Sequence, residues 1–385
     1  MESMCYYVQL HKKRRKGGTV VLEDISYVII LNYNNWKYTI NCIRSLLNMS
    51  YKKFRIMVLD NASTDGSVEY LCAWMNGENV ETVQVNKQLQ KYIVNTQQAI
   101  PSLVIESFET QKLDTQNLKE KRVVVIKNSE NTGFAAGNNI AIRCAMQQRD
   151  CAYVWILNND TIVDTAALEN AVEYAKRHPD SAIIGATLLE MNQPDKIQAL
   201  GGSAFDYYFA RGHALYNGYK KDDIKKIKIS YDDIGYVSGA SMFITKENLK
   251  KIGLIPEDFV YYFEEIIWCM KAKKEGLNLG YAPECIVYHE GGATTKLLDL
   301  YKDAGNPYHF LYFRNKLIFA RKYMPSRLPI VYIGIIIDWI KKYFIDKEHL
   351  DCKIFRHWEM WKIPTKDEKL SFADAMKILD KKQSK

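Results

Sequence analysis

The sequence predicts an α/β fold with a mostly parallel central sheet flanked by helices, and three observations carry that expectation. Apolar, β-branched runs recur at residues 27–31, 54–59, 123–126 and 153–157, each with the length and composition of a fully buried strand. Between them lie segments with apolar residues at helical spacing, the strand–helix–strand order of parallel pairs joined by crossovers. Polar, turn-forming sequence follows the runs. That places Asn, Asp and Gly at the C-terminal ends of the strands, where open α/β sheets bind ligands.

Taken in order, residues 1–23 form a basic, poorly ordered lead-in, because their charges offer nothing to bury. Structure begins near Ile25, and the first strand gives way to a loop at Asn32, Tyr33 and Asn34. Ile40, Ile43, Leu46 and Leu47 then fall on one helical face. The second strand ends at Asp60 and a turn-rich stretch, 61–66. Residues 76–121 are rich in Gln, Asn and Lys, with modest apolar spots near 100–105, and read as an excursion from the core. The strand at 123–126 leads to a Gly- and Asn-rich loop, 131–139, that opens a helix through Ala145. The next strand ends at Asn158, Asn159 and Asp160. Beyond Ala182, Gly185, Gly201, Gly202, Gly212, Gly218 and Gly235 punctuate short strands. A helix follows with Glu264 and Glu265 in its first turn, Ile266, Ile267 and Met270 on its apolar face, lysines near its end and Gly276 as its C-cap. From 307 onward the chain reads as a helical extension.

Composition narrows the class. With 385 residues, 47% hydrophobic and 25% charged, the chain is too long for one small core and suits a large domain with an appendage. Its 53 Lys and Arg exceed 45 Asp and Glu, giving +8, and part of the excess sits in the 11–16 run. That balance suits anionic partners such as phosphorylated substrates or a membrane surface, and no nucleic acid is expected. The eight cysteines form no C-x-x-C pair, as in a reducing cytosol. No apolar signal segment follows the N-terminal charges. The longest apolar run, 328–337, is about half of what a membrane span needs, so a cytoplasmic protein is expected.

Several residue types are suited to chemistry, and each also has a plain structural reading. Asp60, in Asp60-Asn61-Ala62-Ser63-Thr64-Asp65-Gly66, can accept from a base N–H or a ribose hydroxyl, or bond its own turn. Gly133 and Gly137 allow close backbone approach within Asn131-Thr132-Gly133-Phe134-Ala135-Ala136-Gly137-Asn138-Asn139. A Gly-rich loop before a helix favours anions, yet this one matches neither the dinucleotide fingerprint nor a P-loop. Asp160 is a strand-end carboxylate of the kind that takes Mg²⁺ or Mn²⁺ together with substrate phosphates. His289 can add an imidazole, although a lone histidine is as a rule structural. Glu264 and Glu265 compensate a helix dipole, or supply a general base.

In this order the motifs resemble the family 2 inverting glycosyltransferases, and especially their rhamnosyltransferase-like branch, which builds bacterial surface polysaccharides. The likeness runs from about Ile25 to Pro325. It rests on Asn32-Tyr33-Asn34, the Asp60–Gly66 turn, the 131–139 stretch, Leu157-Asn158-Asn159-Asp160-Thr161, Val237-Ser238-Gly239-Ala240, Phe263-Glu264-Glu265 and His289. It implies the GT-A fold: a Rossmann-like nucleotide half, 24–160 with the 76–121 insertion, joined to an acceptor half, 161–306, before the extension at 307–385.

By that resemblance, Asp60 binds the donor base and Asn158 the ribose. Gly133, Phe134 and Asn138 line the nucleotide pocket, to which Asn32, Asn34, Asn61, Asp65, Asn131, Gly137 and Asn159 also belong. Asp160 and His289 hold Mg²⁺ or Mn²⁺ on the diphosphate of a UDP- or dTDP-sugar. Glu265 is the base, with Glu264 able to share the role, and the acceptor is a surface or lipid-linked glycan.

Two departures stand out. The family usually has Asp where this chain has Glu265, which displaces the carboxylate by about 1.5 Å. Ile267 also replaces an acid common in the family. A catalytically degenerate, nucleotide-sugar-binding subunit is the alternative these departures suggest. A sugar nucleotidyltransferase would need a Gly-rich basic loop at the first strand, and Asn32-Tyr33-Asn34-Asn35-Trp36 supplies none. The apolar tail at 330–345 either packs on the catalytic domain or lies on a membrane beside the basic run.

Overall fold

The computed structural model describes residues 23–94, 98–106, 121–291, 307–344, 354–355, 358–365 and 367–380. The basic run at 11–16 lies outside them, as does part of the 76–121 segment.

The apolar runs become the middle of one large sheet. Its strands are β1 (Ile25–Asn32), β2 (Phe54–Asp60), β3 (Ser102–Ile105), β4 (Val123–Lys127), β5 (Cys151–Asn158), β6 (Thr161–Val163), β7 (Ser181–Glu190) and β8 (Ile197–Leu200). Short β9 (Gly202–Asp206), β10 (Arg211–Ala214) and β11 (Tyr236–Val237) form a separate small sheet. β12 (Ser241–Thr245) and β13 (Asn278–His289) return to the large one, whose order is β3-β4-β2-β1-β5-β12-β7-β13-β6, with β8 on β7. Strands β3, β4, β2, β1, β5, β7 and β13 run one way, while β12, β6 and β8 run against them.

Strand alternation divides the core. Val28, Ile30, Ile56 and Val58 point to one face, covered by α1 (Trp36–Leu47), α2 (Ser67–Met75) and α4 (Ala167–Arg177). Tyr27, Ile29, Met57 and Leu59 point to the other, covered by α3 (Gly133–Gln147), α5 (Lys246–Ile252) and α6 (Glu264–Lys274). Both faces of a parallel sheet are thus dry, which is why its strands read as unbroken apolar runs. At the N-terminal ends of the strands the Arg55 guanidinium bonds Asp150 Oδ2 at 2.8 Å, and the Tyr27 hydroxyl donates to Asp150 Oδ1 at 2.8 Å. All three groups are buried.

Two sequence expectations change here. The 76–121 segment is not wholly an excursion, since β3 extends the parallel sheet beside β4. Within the same segment Val85, Leu89 and Tyr92 are buried with Met191 and Tyr288. Those apolar residues are sparse among polar neighbours, which hid their period. The 131–139 stretch is not all loop either: α3 begins at Gly133, so Phe134, Gly137 and Asn138 are helical.

The extension opens with two 17-residue helices, α7 (Pro307–Tyr323) and α8 (Leu328–Phe344), followed by short α9 (Trp358–Trp361) and α10 (Phe372–Asp380). It does not stand apart. Phe310, Leu317 and Phe319 of α7 share a core with Phe263, just before α6, and with Ile266 and Ile267 of α6, so Ile267 is a packing residue. Among the described residues no helix is long and apolar enough to cross a membrane.

Candidate active site

A cavity of about 340 Å³ opens at the C-terminal edge of β1, β2, β5 and β13, within the size range of small-molecule sites. Asn61, Asn131, Gly133, Phe134, Asn158, Asn159, Asp160, Glu264, Glu265 and His289 all line it. Six other expected residues do not. Asn32, Asp60, Gly137 and Asn138 are buried beneath its wall, while Asn34 is half-buried and Asp65 exposed in the turns beside it.

Asp60 accepts from Asn32 Nδ2 at 2.8 Å, from the Ser63 amide at 3.0 Å and from the Ser63 hydroxyl at 2.6 Å. Its carboxylate closes its own turn at the edge of the cavity. Asn32 is fully buried and accepts from the Thr39 hydroxyl at 2.7 Å, while Asn34 accepts from the Thr64 amide at 2.7 Å. Those bonds clasp the loops after β1 and β2 together. Asp65 accepts from the Ser67 amide at 3.0 Å at the start of α2. Asn138 donates to the Phe134 carbonyl at 2.9 Å inside α3. Gly137 lets α3 approach the sheet, since a Cβ there would stand 2.7 Å from Leu31 Cδ1. These residues build the wall; their neighbours form its surface.

Beside the end of β2, Asn61 ties the loop before α3, donating to Asn131 Oδ1 at 2.8 Å and to the Gly133 carbonyl at 3.2 Å. Gly133 has φ +83°, and a Cβ on it would meet the Val260 carbonyl oxygen and Cγ1 at 2.7 Å. Only glycine combines that backbone with that proximity. The adjoining Phe134 amide donates to the Val260 carbonyl at 3.2 Å, which fixes the start of α3 against the segment that leads to α6.

At the end of β5, Asp160 Oδ1 lies 3.2 Å from His289 Nε2, and Asn158 Nδ2 is 3.3 Å from the same nitrogen. The other ring nitrogen, Nδ1, is 2.7 Å from Gln198 Oε1. An amide oxygen there holds the proton on Nδ1 and leaves the Nε2 lone pair facing Asp160. A carboxylate oxygen and an imidazole lone pair at that distance repel unless a proton on Nε2 or a cation takes both. The donor set, one oxygen and one imidazole nitrogen, suits Mg²⁺ less well than Mn²⁺. Among the described residues no third His, Cys, Asp or Glu completes a cage, so a cation held here would take its other ligands from water or substrate oxygens.

The opposite wall comes from the segment before α6. Tyr262 and Phe263 have φ +66° and +75°, a strained conformation for side chains of that size. Packing maintains it. Phe263 stacks on Phe319 at 5.0 Å, Tyr262 meets Tyr312 edge-on at 5.6 Å, and Asn315 donates to the Tyr261 carbonyl at 2.6 Å. Glu264 and Glu265 follow at once. Burial raises both carboxyls above the ordinary glutamate range, and the charge of Glu265 raises Glu264 further. Glu264 Oε2 has no hydrogen-bond partner among the described residues.

Sequence reasoning missed the aromatic lining: Tyr33, Tyr261, Tyr262 and, from α7, Tyr308. Tyr33 sits between two flagged asparagines and points the other way, an alternation that offered a signal. Tyr308 offered none. Gln198 was missed as well, being a single amide on a short strand.

A mostly parallel sheet with polar strand ends, an acidic pair and an Asp–His pair around one cavity defines the GT-A class of glycosyltransferase folds. The chain belongs to glycosyltransferase family 2: the profile described as "Glycosyltransferase like family 2" matches residues 110–303, half of the chain, and "Glycosyl transferase family 2" matches 27–100. A curated relative is the "Low-salt glycan biosynthesis hexosyltransferase Agl10" of Haloferax volcanii, 24% identical over 163 residues, which are 40% of this chain and 48% of that protein. The chain thus spans about half the length of the curated relative it matches.

Among solved structures, GalNAc-T7 with UDP, GalNAc and Mn2+ superposes with a TM-score of 0.51 at 15% identity, over 89% of this chain and 57% of that one. This likeness is one of fold. The mannosyltransferase PcManGT from Pyrobaculum calidifontis, in complex with GDP-Man and Mn2+, gives 0.44 at 12% identity, over 96% and 92% of the two chains. TarS 1–349 of S. aureus gives 0.42 at 14% identity, over 88% and 77%.

Proposed function

We propose that this protein is an active inverting glycosyltransferase of the cytoplasm. In this reading it moves a hexose, rhamnose being the first candidate, from a UDP- or dTDP-sugar to a hydroxyl of a surface-polysaccharide or lipid-linked glycan. The observation that carries the reading is the gathering, around one cavity, of the Asp160–His289 pair and the Glu264–Glu265 pair. Family membership supports glycosyl transfer, and a structure of the same fold containing UDP and Mn2+ supports a metal-bound nucleotide sugar.

Asp160 and His289 would hold Mg²⁺ or Mn²⁺, with Gln198 keeping the His289 Nε2 lone pair turned toward the site. When bound, the cation supplies charge neutralisation for a departing nucleoside diphosphate. Asn158 and Asn159 offer amides to ribose or phosphate, and Asn131, Gly133 and Phe134 shape the nucleotide side. Glu265, which the family resemblance marks as the base, takes the acceptor hydroxyl proton, with Glu264 beside it able to share the role. One in-line displacement at the anomeric carbon inverts its configuration and needs no enzymic nucleophile. The division at about residue 306 is kept for the catalytic domain, with the extension completing its acceptor wall through Tyr308.

The test is donor turnover with UDP-, dTDP- and GDP-sugars and Mn²⁺ or Mg²⁺, comparing wild type with Asp160→Ala and Glu265→Gln. Metal-dependent release of one nucleoside diphosphate, abolished by the first change and slowed by the second, is the expected result. Tight nucleotide binding without turnover, indifferent to Glu265→Gln, would instead identify a binding subunit of a glycan assembly.

A further inference from the structure

We propose that the outer face of α8 is a docking surface that lies flat on an anionic lipid layer. The helix is two-sided in an unusual sense: both sides are apolar. Leu328, Val331 and Ile335 are buried against the other C-terminal helices. Ile333, Ile336, Ile337, Ile340 and Phe344 face outward, with Ile333 54% and Phe344 71% exposed. Their spacing draws one continuous stripe along the helix, and an exposed apolar patch of that kind marks an interaction site.

The polar surroundings select the partner. The one acid of the helix, Asp338, turns inward, where it meets Arg211 and lies 3.7 Å from Lys316 Nζ. No carboxylate of α8 therefore shares the stripe. Cations and aromatic rings border it instead: Lys341 is exposed beside Ile337 and Ile340, and Trp339 flanks the other side. At the start of the helix the Arg327 guanidinium lies 4.2 Å over the ring of Tyr208. Tyr207 and Tyr208 are exposed in the β9–β10 turn, whose Phe209 reaches Gly334 of α8. An apolar face rimmed by Lys, Arg, Trp and Tyr is the composition that settles at a headgroup boundary. Pairing two copies through this face would bring cationic rims together with no α8 acid to meet them.

The helix folds back along α7, as the Lys316–Asp338 approach requires, so its later turns lie toward the α7 end that carries Tyr308 and the cavity. A lipid-laid α8 would hold the site close to the surface. The surface itself does not depend on the transfer chemistry proposed above, and it is measured without a sugar donor.

The experiment is flotation of the full chain with vesicles of phosphatidylcholine alone and of an equal mixture of phosphatidylcholine and phosphatidylglycerol. The Ile337→Glu/Ile340→Glu double variant is run alongside, with circular dichroism confirming its fold. A second variant replaces Lys12, Lys13, Arg14, Arg15 and Lys16 with serine. Wild type is expected to float with the anionic vesicles, and the double variant to lose at least about tenfold in partitioning. The serine variant is expected to keep most of its binding. Three results would overturn the proposal: no flotation of wild type, equal flotation of the double variant, or binding lost only with the basic run. Self-association of wild type that the double variant abolishes, without vesicle binding, would overturn it in favour of a dimer interface.

Discussion

Gln198 Oε1 and His289 Nδ1 stand 2.7 Å apart, and this contact decides which nitrogen of the histidine is free to face Asp160. Gln198→Leu removes the acceptor and lets the ring change tautomer and swing. Such outer partners are worth about tenfold to a hundredfold in metal affinity. We expect Mn²⁺ binding, followed by titration calorimetry, to weaken by that factor, while Gln198→Glu, which keeps an acceptor oxygen, retains most of it.

The acidic pair makes a pH prediction with a definite sign. Burial raises both carboxyls, and a general base works only when ionised. The acid limb of kcat/KM therefore lies above the ordinary glutamate range. Glu265→Gln should cost about a hundredfold or more in kcat, and Glu264→Gln much less.

Stability should move the other way. A folded-state value above the unfolded one means that the contribution is whole below the unfolded value and lost as pH rises through the folded value. Glu264→Gln removes that loss. Its melting temperature should exceed wild type on the alkaline side and match it in acid, as a thermal scan across pH would report.

Tyr308 is the point at which the extension enters the cavity, and its ring lies edge-on to Tyr261 at 5.3 Å. We expect Tyr308→Ala to raise the acceptor KM by about tenfold, the worth of an aromatic contact in free energy. Acceptor-independent donor hydrolysis should stay near wild type. Equal losses in both assays would mean that the ring supports the whole cavity instead.

Gly133→Ala tests the hinge between the two walls. The new methyl meets the Val260 carbonyl at 2.7 Å on a backbone with φ +83°, and the Phe134–Val260 hydrogen bond must give way. A loss of about 1–3 kcal/mol in chemical denaturation is expected, with weaker nucleotide binding.

Asp150→Ala leaves Arg55 charged and buried and removes the acceptor of the Tyr27 hydroxyl. Losing one partner of such a pair costs about 3–5 kcal/mol. The site is at the far end of the strands from the cavity, so folded protein should keep its specific activity while unfolding at lower denaturant.

Much of the sheet was legible because a strand buried on both faces has to be written in Val, Ile and Leu. Direction was not, since β12 alternates in the same way whether it runs with or against β5. The site divided along similar lines. Asn158, Asn159, Asp160 and His289 converge because strand ends converge. Asp60 and Asn32 lie behind the wall because an asparagine or aspartate that closes a turn looks, in sequence, just like one that binds a ligand. Tyr308 depends on how α7 packs, which no local pattern records.

Strand β12 has a consequence for how such a protein diversifies. Because it runs against its neighbours, it brings to the cavity the turn that precedes it, Ser238 to Ala240, and not its own end. Between β8 and that turn the chain forms β9, β10 and β11 in a sheet of their own, tied to the main body where Ile234 and Val237 enter its core and the Val237 amide donates to Cys269 Sγ. Insertions in the exposed β9–β10 turn would reshape that edge of the molecule while β1, β2 and β5 keep their register. The polar strand ends of β1, β2 and β5 would stay in place while the surface beside them changed.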